Sequence, residues 1–87
     1  MTKTLNHEQL MQIFDEFAEQ CVGKVIAILR KDTHTWHQCV VIGLIETGLQ
    51  HIAPACTRYS GFSIKEQEEK QYLYFNSPQI ESVIIYD

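Results

Sequence analysis

The chain has 87 residues, of which 45% are hydrophobic and nine are aromatic, and its formal net charge is −4. A chain of this length is expected to form one small domain, 1–87, around one core. No apolar stretch approaches the roughly 20 residues of a membrane-spanning helix, and the N-terminus lacks the apolar region of a signal peptide. Three cysteines without a repeated spacing do not indicate a disulfide framework. We therefore expect a cytoplasmic protein with reduced thiols and no membrane contact.

The charges are unevenly distributed along the chain. Residues 1–23 carry one lysine and four carboxylates, residues 24–62 four cations and two carboxylates, and residues 63–87 two lysines and five carboxylates. An acidic protein is poorly suited to general binding of phosphate backbones, which depends on lysine and arginine. It is better suited to a partner with a basic surface.

One amphipathic helix is predicted at about 7–21. Its apolar residues recur at the spacing of one helical stripe, at Leu10, Ile13, Phe14, Phe17, Ala18 and Cys21. Asn6 is placed to cap the helix, and Gln9 stands where a capping-box side chain reaches back. Gly23 suits the positive φ at which a chain leaves a helix. We expect both phenylalanines of the stripe to pack against the rest of the fold.

Five short apolar strands are predicted after the helix, at about 24–31, 36–47, 49–53, 71–76 and 80–86. The first is apolar on both faces, which predicts that the helix covers its outer side. Gly43 within the second marks a bulge or sharp bend. Residues 54–70 are predicted as a long connection, in which 63–66 fits the capping box of a single helical turn. The sequence therefore predicts an α+β fold, with an N-terminal helix followed by a five-stranded, strongly bent antiparallel small barrel.

This layout resembles the small barrels of the SH3-like and Sm-like type over about residues 6–87. Among named families it is similar to the Rho-inhibiting Rof proteins and to the YolD-like proteins, which also place a helix before a barrel and end on a short apolar strand, here 79–85. The Sm signature has an Asp-x-x-x-Asn loop, whereas this chain has Glu46-Thr47-Gly48-Leu49-Gln50. The difference disfavours Sm-type uridine recognition. The resemblance implies the fold and no functional residue.

Catalytic and metal-binding patterns are weak. His37 and Cys39 would point to the same side of a strand, and His51 or Cys56 would have to complete a tetrahedral site. The chain has neither the paired spacings of structural zinc sites nor a glycine-rich phosphate loop. A nucleophilic Cys/His pair would also need an oxyanion hole, for which no pattern is present. We therefore predict a non-enzymatic protein without metal or cofactor.

Carboxylates dominate the polar side of the predicted helix. Asp15, Glu16 and Glu19 lie off the apolar stripe, and no lysine on that side balances them. This pattern is typical of an ordinary solvated face and also of an acidic docking surface. The leading hypothesis is a small adaptor or inhibitor that binds another protein with a basic surface through these three residues.

The alternative hypothesis is a single-stranded nucleic-acid site in the basic middle of the chain. Cations and stacking side chains occur together there, at Arg30, Lys31, Trp36, His37, Arg58 and Tyr59. The simpler explanation of the tryptophan and tyrosine is that they cover the ends of a barrel. Positive charge is sparse for tight phosphate binding, so nucleic acid ranks below a protein partner. The sequence leaves the oligomeric state open.

Overall fold

A computed structural model describes residues 2–46 and 58–86 of the chain. Its elements in chain order are β1 (Lys3–Asn6), α1 (His7–Met11), α2 (Asp15–Gln20), β2 (Val25–Arg30), β3 (Trp36–Glu46), β4 (Tyr59–Glu66), β5 (Glu69–Tyr74) and β6 (Ile80–Ile85). The predicted α+β class is confirmed as a small, sheet-rich fold. Among the described helices, none has the length and apolar character needed to cross a membrane.

The strands form one antiparallel sheet in the order β1-β6-β2-β3-β4-β5. The described residues thus contain six strands, so the predicted count of five is wrong. In the order of described pairings, β1 and β5 stand at the two ends. The predicted strand at 49–53 lies outside the described residues.

Two strands were missed by the sequence prediction. β4 lies within the predicted connection 54–70, and its residues 63–66 are extended rather than a helical turn. Phe62 and Ile64 are buried while Ser63 between them is partly exposed, which is the alternation of a strand. β1 escaped prediction because Leu5 is its only buried side chain.

The predicted helix 7–21 is interrupted, which corrects the sequence-based expectation. Asn6 and Gln9 form the predicted capping box at the start of α1, but α1 ends after one turn. The backbone of Phe14 is extended and forms the N-cap of α2. Two carboxylates follow in the first turn of α2, where they favour a new helix N-terminus through the helix dipole. The break leaves Phe14 68% exposed, so the expectation that it packs against the fold is wrong.

The core lies between the two helices and one face of the sheet, which we call the inner face. Leu10 and Cys21 from the helical region join Ile26, Phe62 and Val83 from the strands in one buried cluster. The helices therefore pack on the inner face. The sequence had predicted that they cover the outer side of β2, and this prediction is wrong. Phe17 packs against this cluster with partial exposure, as expected.

The predicted positions of two glycines are confirmed. Gly23 follows the helices with a φ of 92°, a conformation that favours glycine. In β3 the register shifts between Val41 and Gly43, so Ile42 is the extra residue of a β-bulge. The long strand is thereby divided at the point where the sequence predicted a bend.

Candidate functional site

The opposite side of the sheet, the outer face, carries several large apolar side chains that are exposed. Directly paired residues of neighbouring strands share a face, and Val25, Val40, Lys65 and Lys70 are paired in one row across β2, β3, β4 and β5. This row defines the outer face. Alternation along the strands extends it to Trp36 on β3 and to Tyr72 and Tyr74 on β5.

We call six of these residues the outer-face patch: Trp36, Val40, Lys65, Lys70, Tyr72 and Tyr74. The three aromatic side chains are 47–56% exposed and Val40 is 39% exposed. The sequence produces this surface because the residues between them, such as Cys39 and Leu73, point inward and are buried. Tyr72 and Tyr74 lie on one side of the row through Val40, and Trp36 lies on the other side. Large apolar side chains that share one sheet face in solvent form a candidate interaction surface.

The patch also carries positive charge. Lys65 and Lys70 are directly opposite each other on β4 and β5, an arrangement in which like charges repel. The Lys70 ammonium lies 5.7 Å from the centre of the Tyr72 ring. Neither lysine takes part in the ion pairs found among the described residues. An anionic group beside the two lysines would relieve the repulsion.

The predicted acidic docking site is engaged within the protein. Oε2 of Glu19 accepts a hydrogen bond from the Tyr59 hydroxyl at 2.9 Å and lies 3.6 Å from the Arg58 guanidinium. Oδ1 of Asp15 accepts a hydrogen bond from the backbone N–H of Arg58. Glu16 is exposed on the same helix. Two of the three carboxylates therefore fasten α2 to the start of β4.

The six residues of the predicted nucleic-acid site are scattered. Arg58 and Tyr59 lie beside the carboxylates of α2, whereas Trp36 belongs to the outer-face patch. Arg30 forms a bidentate pair with Asp32. His37 turns to the inner face, where its Nδ1 lies 3.2 Å from Oε2 of Glu66. Lys31 is exposed in the β2–β3 turn. The structure does not join these residues into one surface.

A pocket of about 470 Å³ opens on the inner face, at the end of β4 away from α2. We call it the inner pocket. Its floor consists of buried apolar side chains from all five strands that surround it: Ile28, Cys39, Ile64, Leu73 and Ile80. Polar side chains line the rim. The helices fill the opposite end of the inner face, so the pocket is the part that the core leaves open.

The rim is organised by two sets of hydrogen bonds. In the first, the Arg30 guanidinium binds both carboxylate oxygens of Asp32 and lowers the pKa of Asp32, mainly through the hydrogen bond. In the second, the Thr35 hydroxyl lies 3.1 Å from Nε2 of His37, and the other ring nitrogen contacts Glu66. The imidazole is therefore held from both sides.

The chemistry of Cys39 does not support nucleophilic catalysis. Burial, and then the charge of Glu66, raises the pKa of the Cys39 thiol to about 11. The thiol is therefore protonated at neutral pH, and the thiolate is the reactive form. Among the described residues no group of three or more His, Cys, Asp or Glu side chains is placed to hold a metal ion. His51 and Cys56, considered from the sequence as ligands, lie outside the described residues.

Several residues of these two sites were missed from the sequence. Tyr72 and Tyr74 belong to the short apolar strand predicted at 71–76, but they were not predicted as site residues. Their alternation with Leu73 could have identified them as exposed, because successive side chains of a strand point to opposite faces and only one face is turned to the core. Lys65 and Glu66 were missed because β4 itself was missed.

Comparison of the chain with protein-family models, with curated proteins and with solved structures finds no match.

Proposed function

We propose that the protein is a non-enzymatic protein-interaction module that binds its partner through the outer-face patch. The observation that carries this proposal is the exposure of Trp36, Val40, Tyr72 and Tyr74 on one face of the sheet. Tyrosine and tryptophan are enriched where binding energy is concentrated, because they bury much area with few rotatable bonds. The helices pack on the other face, so a partner reaches the patch without displacing any described element.

The partner that fits the patch is apolar at its centre and carries carboxylates at its margin. Lys65 and Lys70 face each other, and neither forms one of the ion pairs found among the described residues. A carboxylate placed between them would remove the repulsion and form charge-assisted hydrogen bonds. The sequence had favoured a basic partner. Because Asp15 and Glu19 are engaged by Arg58 and Tyr59, we now propose an acidic partner surface instead.

Single-stranded nucleic acid is the second candidate, because Tyr72 and Tyr74 beside two lysines resemble a stacking platform. Base stacking on an aromatic ring and contacts from lysine to phosphate are the two components of such sites. Two lysines neutralise few phosphates, and binding of that kind weakens steeply with salt. Val40 has no role in stacking, whereas a protein partner would bury it. The apolar content of the patch therefore favours a protein.

The closure of the sheet and its family resemblance are also proposals. We propose that the sheet is a small barrel of the SH3-like or Sm-like type, with the layout of the Rof and YolD-like families. The bulge in β3 supports this, since such a bend allows one long strand to contribute to both halves of a small barrel. We further propose a cytoplasmic adaptor or inhibitor, as expected from the sequence.

Site-specific photo-crosslinking tests the proposal in the native host. A photoreactive phenylalanine analogue is placed at Tyr72 or Val40 in the patch, or at Glu16 on α2 or Lys31 in the β2–β3 turn as matched exposed controls. We expect one protein to crosslink from both patch positions and from neither control. The purified partner should then lose at least tenfold in affinity for a Tyr72→Ala/Tyr74→Ala variant that keeps its melting temperature.

Other results would redirect the assignment. Crosslinking from Glu16 alone would support the sequence-based hypothesis that the partner binds the acidic residues of α2. Tight binding of a fluorescent oligonucleotide that is lost in the same double variant would support the nucleic-acid candidate. Equal partner affinity of the double variant and the wild type would rule out the outer-face patch.

A further inference from the structure

We propose that the inner pocket binds a small amphipathic molecule with an apolar body and a protonated amine. This inference is independent of the proposed function, because the pocket lies on the inner face and the docking patch on the outer face. Tyr72 alone lies in the patch and also borders the pocket.

The size and floor of the pocket suit a small molecule. Sites for drug-sized ligands have volumes of about 300–1,000 Å³ and are mostly apolar, with a few polar groups that orient the ligand. The inner pocket has about 470 Å³. Its floor includes Ile28, Ile64 and Leu73, each at most 5% exposed. An aliphatic chain or an aromatic ring would contact these side chains and leave its polar end at the rim.

The rim determines the charge of that polar end. Arg30 and Asp32 bind each other through two hydrogen bonds, so their charges cancel. Glu66 is only partly compensated, because one of its oxygens contacts His37 and the other accepts no hydrogen bond from the described residues. Glu66 is therefore the charged acceptor that the rim leaves available.

The proposal assigns a neutral ring to His37, which can make both of its contacts in that form. A neutral imidazole with its hydrogen on Nδ1 donates to Glu66 and accepts the Thr35 hydroxyl on Nε2, which satisfies both nitrogens. Thr35 in turn lies 2.6 Å from the Thr33 hydroxyl, which supplies its remaining hydrogen bond. With a neutral His37, the rim carries the one uncompensated negative charge of Glu66. A cationic head group is therefore favoured over an anionic one.

Gln71 completes the polar side of the pocket. It lies on β5 directly opposite Ile64 and lines the same cavity. Its amide is exposed and can accept a second hydrogen bond from an ammonium group that binds Glu66. A primary ammonium, with three donors in a compact head, matches two acceptors at the rim better than a hydroxyl does.

The test uses three probes with the same apolar body: 4-phenylbutylamine, 4-phenylbutanol and 4-phenylbutyric acid. Each is titrated into the full chain at pH 7.5 while backbone amide resonances are followed by NMR. We expect saturable shifts around Glu66, Gln71 and Leu73, with the amine binding about tenfold more tightly than the acid, as for a partly solvated charged hydrogen bond. The alcohol should fall between them.

Three variants separate the head-group contact from effects on folding. Glu66→Gln keeps an acceptor for His37 and should bring the affinity for the amine down to that for the alcohol. Gln71→Glu adds a carboxylate at the rim and should increase the preference for the amine several-fold. Glu81→Gln on β6 removes a carboxylate outside the pocket and should change none of the three affinities.

Defined results would overturn the inference. Equal binding of the three probes, or tightest binding of the acid, would contradict the assigned charge. Shifts that do not saturate, or that centre on residues outside the pocket, would show that the pocket binds no such ligand. A Gln71→Glu variant with the melting temperature of the wild type and an unchanged preference would exclude the rim as the head-group site.

Discussion

The Tyr59 hydroxyl donates a 2.9 Å hydrogen bond to Oε2 of Glu19, and this contact joins the start of β4 to α2. The sequence had assigned these two residues to competing binding sites. In the structure they satisfy each other, and Arg58 adds an ion pair to the same carboxylate oxygen. Their shared role is therefore to hold the helix against the sheet.

This contact gives the first prediction. Tyr59→Phe removes only the hydroxyl and should lower the free energy of unfolding by about 1 kcal/mol. Glu19→Gln should cost less than about 1 kcal/mol because the carboxylate is half-exposed. In a double-mutant cycle by urea denaturation, the two changes should be coupled. Glu16→Gln, on the exposed side of α2, is the control: it removes a first-turn charge, and its effect should be additive with that of Tyr59→Phe. Additive single effects would contradict a direct contact.

The interrupted helix gives the second prediction. Phe14→Ala should change the free energy of unfolding by less than about 1 kcal/mol, because its side chain is already 68% exposed. Leu10→Ala should cost about 3 kcal/mol, since Leu10 is fully buried in the core. Thermal and urea denaturation of both variants measure the difference. Equal destabilisation would mean that Phe14 is buried and the helix continuous.

The third prediction concerns the close approach of β4 to β5. A Cβ atom added at Gly61 would collide with the backbone carbonyl oxygen of Leu73, whereas one added at Gly43 would make only ordinary contact with Ser63. Gly61→Ala should therefore destabilise the protein by about 3 kcal/mol or prevent folding. Gly43→Ala should change stability by less than about 1 kcal/mol. Comparable melting temperatures for the two variants would contradict this pairing of the strands.

The fourth prediction follows from the raised pKa of Cys39. The pKa of the thiol is about 11 in the folded protein, mainly through burial, and about 9 in the unfolded chain. Below pH 9 the thiol is protonated in both states, so its contribution to stability is fully present. As the pH rises from 9 to 11 the unfolded state loses the proton first, and the free energy of unfolding should fall by on the order of 2 kcal/mol.

Cys39→Ala provides the comparison for this pH dependence. All residues other than Cys39 are the same in both proteins, so the difference between their stability curves isolates Cys39. Urea denaturation at pH 8, 9, 10 and 11 should show the steeper decline in the wild type. Parallel curves for the two proteins would mean that the thiol is not buried.

The lysines of the outer-face patch give the fifth prediction. Lys65→Glu replaces a repulsive cross-strand pair with an attractive one and should stabilise the fold by about 0.5 kcal/mol. The same change should slow association with an acidic partner and reverse the effect of salt on its rate. Lys31→Glu, in the exposed turn, should alter neither. A Lys65→Glu variant that gains stability and also binds the partner faster would contradict the assigned charge of the partner.

The parts of the fold that were predictable are those with a strong local signal. The capping box of Asn6 and Gln9 and the positive φ of Gly23 depend on chemistry within a few residues. The same is true of β2, which is one residue shorter at each end than predicted, and of β3, which begins at the predicted residue Trp36. In these segments the local sequence preferences determine the structure, and tertiary contacts do not override them.

The parts that were missed depend on distant contacts. β1 has a weak pattern and exists because it pairs with β6 at the other end of the chain. The helix break at Phe14 is not visible in the apolar spacing, since the stripe continues through it. For the site, the positions of Arg58 and Tyr59 beside Glu19 depend on how β4 packs near α2. Residue type alone identified charged and aromatic groups but not which of them would be used internally.

The bulge in β3 has a consequence for changes in chain length. Val41 is paired with Ile64 and Gly43 with Ser63, so Ile42 is the residue of β3 that the ladder with β4 skips. Deleting Ile42 would leave each inward side chain opposite its present neighbour, whereas deleting a residue elsewhere in β3 would reverse the facing of all those that follow. The sheet would lose curvature but not its pairing. Ile42 is therefore a position at which β3 can lose a residue during evolution while the same side chains remain on its exposed and buried faces.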